Sequence, residues 1–361
     1  MKRVIIVGGG YAGTTLARAL DATFDVVLVE PREAFVHNVA AIRSLVDPRL
    51  IDQIILPYDG LLTRGRIVRD RVQAVAEGGV TLVSGQVLQG DYVVLATGST
   101  YAEPFKPVRD AMTDFRAAQG AVHAGIKAAR SIVIVGAGAV GVELAGEIGS
   151  VFKGKDITLV SSTASLFPDF TSGLGTRLAA DLRGLGVRVR LGVKAEGLSA
   201  VDRPDVGPLR LDTGEVLAAD LVIPAVGARP ATGVVAGLGG VRFDRIGRVE
   251  VDRWMRPAGL KGVFALGDMA ANGDMMTIVA SSRQAPWLAK TLEGVAAGKA
   301  VEDLAAYTPW PSPPILVPLG AGRGASVLPL GRRGAVVGPF LTGLIKGKSL
   351  FIPRYHKEFG L

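Results

Sequence analysis

Two short glycine runs have the spacing to hold phosphates. Gly8-Gly9-Gly10-Tyr11-Ala12-Gly13 and Gly136-Ala137-Gly138-Ala139-Val140-Gly141 both read GxGxxG. In this spacing the first glycine permits a tight turn and the second lets the backbone approach a pyrophosphate. The third lets a helix pack close against a strand. The helix N-terminus that follows offers free N–H groups and partial positive charge to phosphates. The residues that follow distinguish the two runs. Glu30 ends the strand after the first, where a carboxylate accepts hydrogen bonds from adenosine ribose hydroxyls. Ser161 holds the matching place after the second, followed by Ser162 and Thr163. Hydroxyls tolerate a 2′-phosphate that a carboxylate repels, so this site accommodates NADPH without excluding NADH. A serine that merely ends a strand reads the same way. Glu143 stands near the start of the second helix, where an acid is ordinarily solvated.

Two dinucleotide folds in one chain imply two different dinucleotides. Hydride leaving a nicotinamide must land somewhere, and a flavin is its usual receiver. Phe264-Ala265-Leu266-Gly267-Asp268 is an apolar strand ending in a carboxylate that could accept from ribityl hydroxyls. Ala96-Thr97-Gly98 and Ala225-Val226-Gly227 each end an apolar strand in small residues, so loops there can pass close to a cofactor. The first site thus draws on Gly8, Gly9, Gly10, Tyr11, Ala12, Gly13, Glu30, Ala96, Thr97, Gly98, Gly267 and Asp268. The second draws on Gly136, Gly138, Ala139, Val140, Gly141, Ser161, Ser162 and Gly227. The flavin carries the chemistry, and no dedicated acid–base residue is required.

These residues need a particular scaffold. Val4–Val7, the first glycine run, a helical pattern over Tyr11–Leu20 and Val26–Glu30 form β–loop–α–β. Ile132–Val135, the second run, a helix over Val140–Val151 and Ile157–Val160 repeat the design. Further strands are expected at Val80–Val83, Tyr92–Ala96, Leu221–Val226 and Val263–Leu266, and a turn between two strands around Pro204 and Pro208. Met276–Leu292 is helical in pattern, with a kink or break expected at Pro286. Prolines at 309, 311, 313 and 314 mark a linker into a different C-terminal segment. The fold class is α/β, with two Rossmann-like domains binding FAD and NAD(P) and a small α+β segment. The FAD domain is discontinuous, over residues 1–104 and 229–305; residues 105–228 bind NAD(P)H and 306–361 close over the flavin.

Composition narrows the chemistry. With no cysteine among 361 residues, disulfides, thiolate metal sites and a redox CxxC are excluded. Three separated histidines make no metal site expected. The 41 basic and 33 acidic residues give +8, which suits dinucleotide phosphates, an acidic partner or anionic lipid. No dense basic run or basic–aromatic patch argues for nucleic acid. No signal peptide, transmembrane run or myristoylation glycine is read, so a cytoplasmic protein is expected, with the inner membrane face as a peripheral site.

The five motifs resemble the FAD-dependent pyridine nucleotide-disulfide oxidoreductase superfamily over roughly the first 300 residues, without its redox CxxC. Phe35-Val36-His37-Asn38-Val39-Ala40-Ala41-Ile42-Arg43 and Leu344-Ile345-Lys346-Gly347-Lys348-Ser349-Leu350-Phe351 more closely resemble the ferroptosis suppressor protein 1 group, also called apoptosis-inducing factor 2-like. The resemblance implies an NAD(P)H:quinone oxidoreductase acting on ubiquinone- or menaquinone-like acceptors. It implies that Gly8 to Ala12, Arg43, Val72 and Asp268 contact FAD, that Glu143 matters at the nicotinamide site, and that His37 lies near the flavin. His37 also reads as a structural histidine, and Arg43 as a surface ion pair. The Ala-, Gly- and Arg-rich composition suggests a bacterial relative.

The C-terminal segment interleaves Phe340, Leu341, Leu344, Ile345, Leu350, Phe351 and Ile352 with Lys346, Lys348, Arg354 and Lys357. Packing onto the body with solvated lysines is expected first, and membrane contact as a second role. Two other functions use the same folds: a ferredoxin- or rubredoxin-type reductase, and a redox-dependent binding protein like apoptosis-inducing factor. The partners expected are a quinone or other small acceptor and a second copy of the chain.

Overall fold

The computed structural model describes residues 1–361 except 172, 199 and 332. The first parallel sheet orders its strands Val263–Ala265, Tyr92–Leu95, Arg3–Val7, Asp25–Val29 and Arg66–Val68. Its central strands are apolar on both faces because both faces are covered. Val4, Ile6, Val26 and Leu28 pack beneath the helices, while Ile5, Val7, Val27 and Val29 face the antiparallel meander Val72–Ala76, Gly79–Leu82, Val87–Gln89. This is the two-residue alternation of a strand. The fingerprint helix Tyr11–Leu20 buries Ala12, Gly13, Leu16, Ala17 and Leu20. Against it lies the long helix Ile278–Ala296, through Ala285, Leu288, Ala289 and Leu292.

That helix is not broken at Pro286, contrary to expectation. Pro286 faces solvent, where water can take the carbonyl bond that proline's missing N–H leaves open. The buried residues on either side hold the helix in register against its neighbour.

The second parallel sheet runs Val187–Leu191, Asp156–Ser161, Ser131–Val135, Leu221–Pro224. Its helix, Ala139–Val151, is buried through most of its length. The strands Ala195–Glu196 and Leu209–Leu211 pair antiparallel, with Pro204 and Pro208 in the connection between them.

The C-terminal segment bridges the two units. Its antiparallel sheet, Ile315–Pro318, Gly324–Leu328 and Ala335–Val337, buries Val317, Leu319, Ala325 and Val327 in the core beneath the second sheet. A short helix, Pro339–Thr342, leads into one π-helical turn, Gly343–Gly347. The last helix, Ile352–Glu358, places Tyr355 in the core of the first unit, and Phe359 joins it there.

Candidate functional site

The two glycine loops have nearly the same geometry, and each glycine has its own reason. Gly8 and Gly136 have φ of +107° and +109°. A Cβ on them would lie 2.6 Å from the Ala96 carbonyl oxygen and 2.4 Å from that of Ala225. These are the small residues ending the crossing strands, so the strands approach the loops directly. A Cβ on Gly13 or Gly141 would sit 1.9 Å from the carbonyl oxygen of Gly8 or Gly136. A Cβ on Gly10 or Gly138 would meet nothing within 4 Å. The middle glycine therefore faces open space beside a helix N-terminus that no side chain caps. That space and its free N–H groups fit a pyrophosphate at each loop.

From the first loop a groove runs in two directions. At one end a cavity of about 360 Å³ is lined by Gly8, Glu30, Val72 and Thr97. Glu30 is buried: one oxygen accepts from Gly9 N at 2.6 Å, and the other from Arg32 N at 3.0 Å and Arg32 Nε at 2.7 Å. Burial opposes its charge, but the Arg32 guanidinium outweighs that and holds the carboxyl below its usual range. An adenosine ribose at this end would meet an acceptor already shared with Arg32. Tyr58 donates to Gly9 O at 2.8 Å and fixes the loop from behind.

At the other end a cavity of about 250 Å³ lies where both units and the C-terminal segment meet. Tyr11, Asn38 and Asp268 line it from the first unit, Val140 and Glu143 from the second fingerprint helix, and Lys346 and Phe351 from the C-terminal segment. Ser99 and Lys106 line both cavities and mark the waist between them. There the Ser99 hydroxyl donates to Asp268 Oδ2 at 2.6 Å, and Lys106 Nζ donates to Ser99 Oγ at 2.7 Å and stands 3.8 Å from Asp268. Burial pulls the Lys106 ammonium below the usual lysine range, with Asp268 opposing. Asn38 Oδ1 is buried without a partner, an acceptor that fits a ring N–H donor such as a flavin presents. Two cavities joined at the Ser99, Lys106 and Asp268 waist, with a phosphate-binding loop beside them, fit FAD.

Glu143 is not a solvated helical acid. It is buried and accepts from Lys346 Nζ at 2.6 Å. Lys346 also donates to Leu316 O at 3.1 Å, so it is no solvated lysine either. Burial raises the Glu143 carboxyl, and the Lys346 charge pulls it back. One helical turn on, Glu147 pairs with Arg43 at 2.8 Å, and Arg43 Nη1 donates to Gly347 O at 2.6 Å. These two ion pairs fasten the C-terminal π-turn over the second fingerprint helix.

Several expected residues sit elsewhere. Arg43 Nε donates to Glu147 and Nη1 to the Gly347 carbonyl, while its buried Nη2 has no hydrogen-bond partner. His37 is buried behind Tyr11: Nδ1 meets Tyr11 Oη at 2.9 Å and Nε2 meets Leu350 O at 2.5 Å. A carbonyl can only accept, so Nε2 carries the proton and Nδ1 accepts from tyrosine. Both nitrogens are committed, and burial lowers the His37 pKa to about 4. His37 ties Leu350 of the C-terminal segment to Tyr11. Ala96 and Gly267 back the loops: Gly267 approaches Ala12 so closely that an added Cβ would lie 3.0 Å from its side chain. Gly98 and Gly227 take positive φ at the ends of the crossing strands. The Ser161 hydroxyl is bound to Thr163 Oγ1 at 2.9 Å within its own turn, while Ser162 is exposed. A larger recess of about 900 Å³ lies across the first unit, lined by Tyr92, Gly262 and Val301, and neither glycine loop lines it.

The family model described as pyridine nucleotide-disulphide oxidoreductase matches residues 2–285. The chain belongs to this family. This oxidoreductase is 31% identical to apoptosis-inducing factor homolog B of Dictyostelium discoideum, over 98% of its own chain and 96% of that protein. It is 28% identical to ferroptosis suppressor protein 1 of Taeniopygia guttata, over 99% of its own chain and 96% of that protein. Among solved structures it resembles putidaredoxin reductase in its covalent complex with putidaredoxin, with a TM-score of 0.67 and 21% identity. That likeness covers 85% of this chain and 78% of the other, and it concerns the fold. The oxidoreductase uses FAD and NAD(P)H. The sequence contains no cysteine and so no redox CxxC.

Proposed function

We propose that this oxidoreductase passes electrons from NAD(P)H through FAD to a quinone of the ubiquinone or menaquinone type. FAD, when bound, accepts hydride from the nicotinamide and yields electrons to the acceptor. In this reading residues 1–104 and 229–305 hold FAD and residues 105–228 hold the nucleotide. The chain's own work is placement. The first loop and Asp268 fix the flavin nucleotide, and the second helix brings Val140 and Glu143 to the same cavity. Lys346 lies against the cavity wall, and its hydrogen bond to Glu143 aims it there.

One observation carries the quinone reading. The flavin cavity continues into a second chamber of about 280 Å³, sharing Ile278, Val279, Pro314, Leu316 and Phe351 with it. Beyond those the chamber is walled mainly by Trp310, Leu328, Pro329 and Ile345. An apolar slot with aromatic sides suits a flat, lipophilic ring. Leu328 lines this chamber and not the flavin cavity, so Leu328→Trp fills the slot without touching the flavin wall. Flavin bleaching by NAD(P)H should be unchanged, and quinone-dependent reoxidation should fall at least about tenfold, ~1.4 kcal/mol at the barrier. Unchanged quinone turnover in this variant refutes the route.

A further inference from the structure

We infer that Gln284 is a positioning residue for the flavin site: it holds the Gly267–Asp268 turn in place, and Asp274 sets the way its amide faces. The inference rests on the reading of Asp268 as the carboxylate that meets the ribityl chain of FAD.

Hydrogen-bond polarity at the turn is the first observation. Asp268 lines the flavin cavity from a short 3-10 turn, Gly267–Met269, and its Oδ2 takes the Ser99 hydroxyl at the waist. Gly267 has φ of +75° and lies against Ala12 of the first fingerprint helix. Its N–H donates to Gln284 Oε1 at 2.8 Å, reaching the long helix Ile278–Ala296. Gln284 is 2% exposed. A backbone N–H can only donate, so the amide oxygen must face it and Nε2 must face the other way.

The cluster behind the amide is the second. Nε2 donates to Asp274 Oδ2 at 2.9 Å and to Asn272 Oδ1 at 3.3 Å. Both amide hydrogens and the amide oxygen are thereby engaged. Asp274 is 6% exposed and is itself held from several sides. The Tyr307 hydroxyl donates to Oδ2, and Trp310 N donates to Oδ1 at 3.3 Å. Asp274 N donates to Asn272 Oδ1 at 3.1 Å, and Arg248 Nη1 donates to Asp274 O at 2.9 Å. A flipped Gln284 amide would set its oxygen against two acceptors and its nitrogen against the Gly267 N–H. One flip would break three bonds, so the cluster admits a single orientation.

Location is the third. Neither Asp274 nor Gln284 lines the adenosine end, the flavin cavity or the apolar chamber. Neither therefore reaches a ligand in those spaces, and both act through the turn. Burying a carboxylate costs free energy that an apolar side chain of the same volume avoids. What the acid supplies here is an amide that can face only one way, and with it a fixed acceptor for the turn that carries Asp268.

The test is titration of folded apoprotein with FAD, followed by quenching of flavin fluorescence, with Asp268→Ala as the reference. Gln284→Glu keeps an acceptor at Gly267 but sets a carboxylate against Asp274 Oδ2, where the amide now donates. The turn is then displaced in the apoprotein and must be restored when FAD binds. The dissociation constant should rise about tenfold or more, ~1.4 kcal/mol. Adding Asp274→Asn supplies a donor to the new carboxylate, and affinity should return to within about threefold of wild type. Gln284→Leu leaves the Gly267 N–H without its acceptor and should weaken FAD by about tenfold, the scale of one unsatisfied buried donor. Asp274→Asn should not rescue it. Should Q284E alone not fold, Q284L serves as the weakened reference for Q284E/D274N. Wild-type affinity in Q284L overturns the inference, and so does a Q284E/D274N protein that binds no tighter than that reference. Weakening in D268A but in no Gln284 variant overturns the positioning role and leaves the ribityl reading standing. Unchanged affinity in D268A sinks the ribityl reading and this inference with it.

Discussion

Lys346→Met removes the ammonium from two acceptors, the buried Glu143 Oε1 at 2.6 Å and the partly buried Leu316 O at 3.1 Å. Methionine keeps the chain's length and apolar stem, so the loss is electrostatic. Breaking a buried pair from one side costs ~3–5 kcal/mol, because the other charge is left without compensation. With an unfolding entropy of about 2.1 cal/mol/K per residue, that cost becomes a fall in Tm of roughly 4–7 °C for a chain of this length. The pH dependence has a definite sign. Burial already raises Glu143, and without Lys346 nothing of that strength pulls it back. A carboxyl raised in the folded state stabilises it below the unfolded pKa of about 4.3 and ceases to do so as pH rises through the folded value. The gap between variant and wild type should therefore be small in acid and widen toward neutrality. The assay is thermal unfolding of the FAD-loaded protein across pH, followed by flavin release. Glu143→Gln in the same background should recover part of the loss. A Tm within about 1 °C of wild type at neutral pH, or a gap that shrinks with rising pH, refutes the buried pair.

Gly141→Ala drives a Cβ against the Gly136 carbonyl oxygen; the purified variant should keep its flavin absorbance but lose flavin bleaching by NAD(P)H, whereas Gly13→Ala should lose the flavin itself. Ser161→Asp places a carboxylate at the end of the second unit's strand, and the ratio of kcat/KM for NADPH over NADH should fall about tenfold or more. His37 is held neutral by burial, its pKa lowered to about 4. A base lowered in the folded state stabilises it above the unfolded value of about 6.5, and that stability is lost as pH falls toward the folded value, ~3 kcal/mol in all. His37→Gln should flatten the acid limb of Tm against pH between those values.

What the sequence disclosed follows from how local each signal is. The glycine loops are legible because each needs its glycines within six residues of chain, and the Cβ clashes in the structure are the reason for that spacing. The strands are legible because full burial on both faces leaves unbroken apolar runs. Lys346 is not legible in this way. It lies among Ile345, Gly347 and Lys348 like any solvated lysine, and becomes buried because the π-turn carries it under Arg43's partner Gly347 toward a glutamate 203 residues away. Lys106 and Ser99 are hidden likewise, since their partner Asp268 arrives from the far end of the chain. Arg43's protein partners are hidden in the same way, since Glu147 and Gly347 lie 104 and 304 residues away. Pro286 misleads because propensity is local, while the packing that carries the helix through it is not.

Anaerobic rapid mixing tests the central claim most directly. The yellow protein is reduced with each nucleotide in turn, then mixed with a short-chain ubiquinone analogue or with buffer. The account predicts prompt bleaching by a nicotinamide nucleotide, followed by rapid recovery of colour only in the presence of quinone. Bleaching that quinone does not reverse would contradict the acceptor, and a flavin that neither nucleotide bleaches would contradict the convergence of the two dinucleotide sites on one cavity.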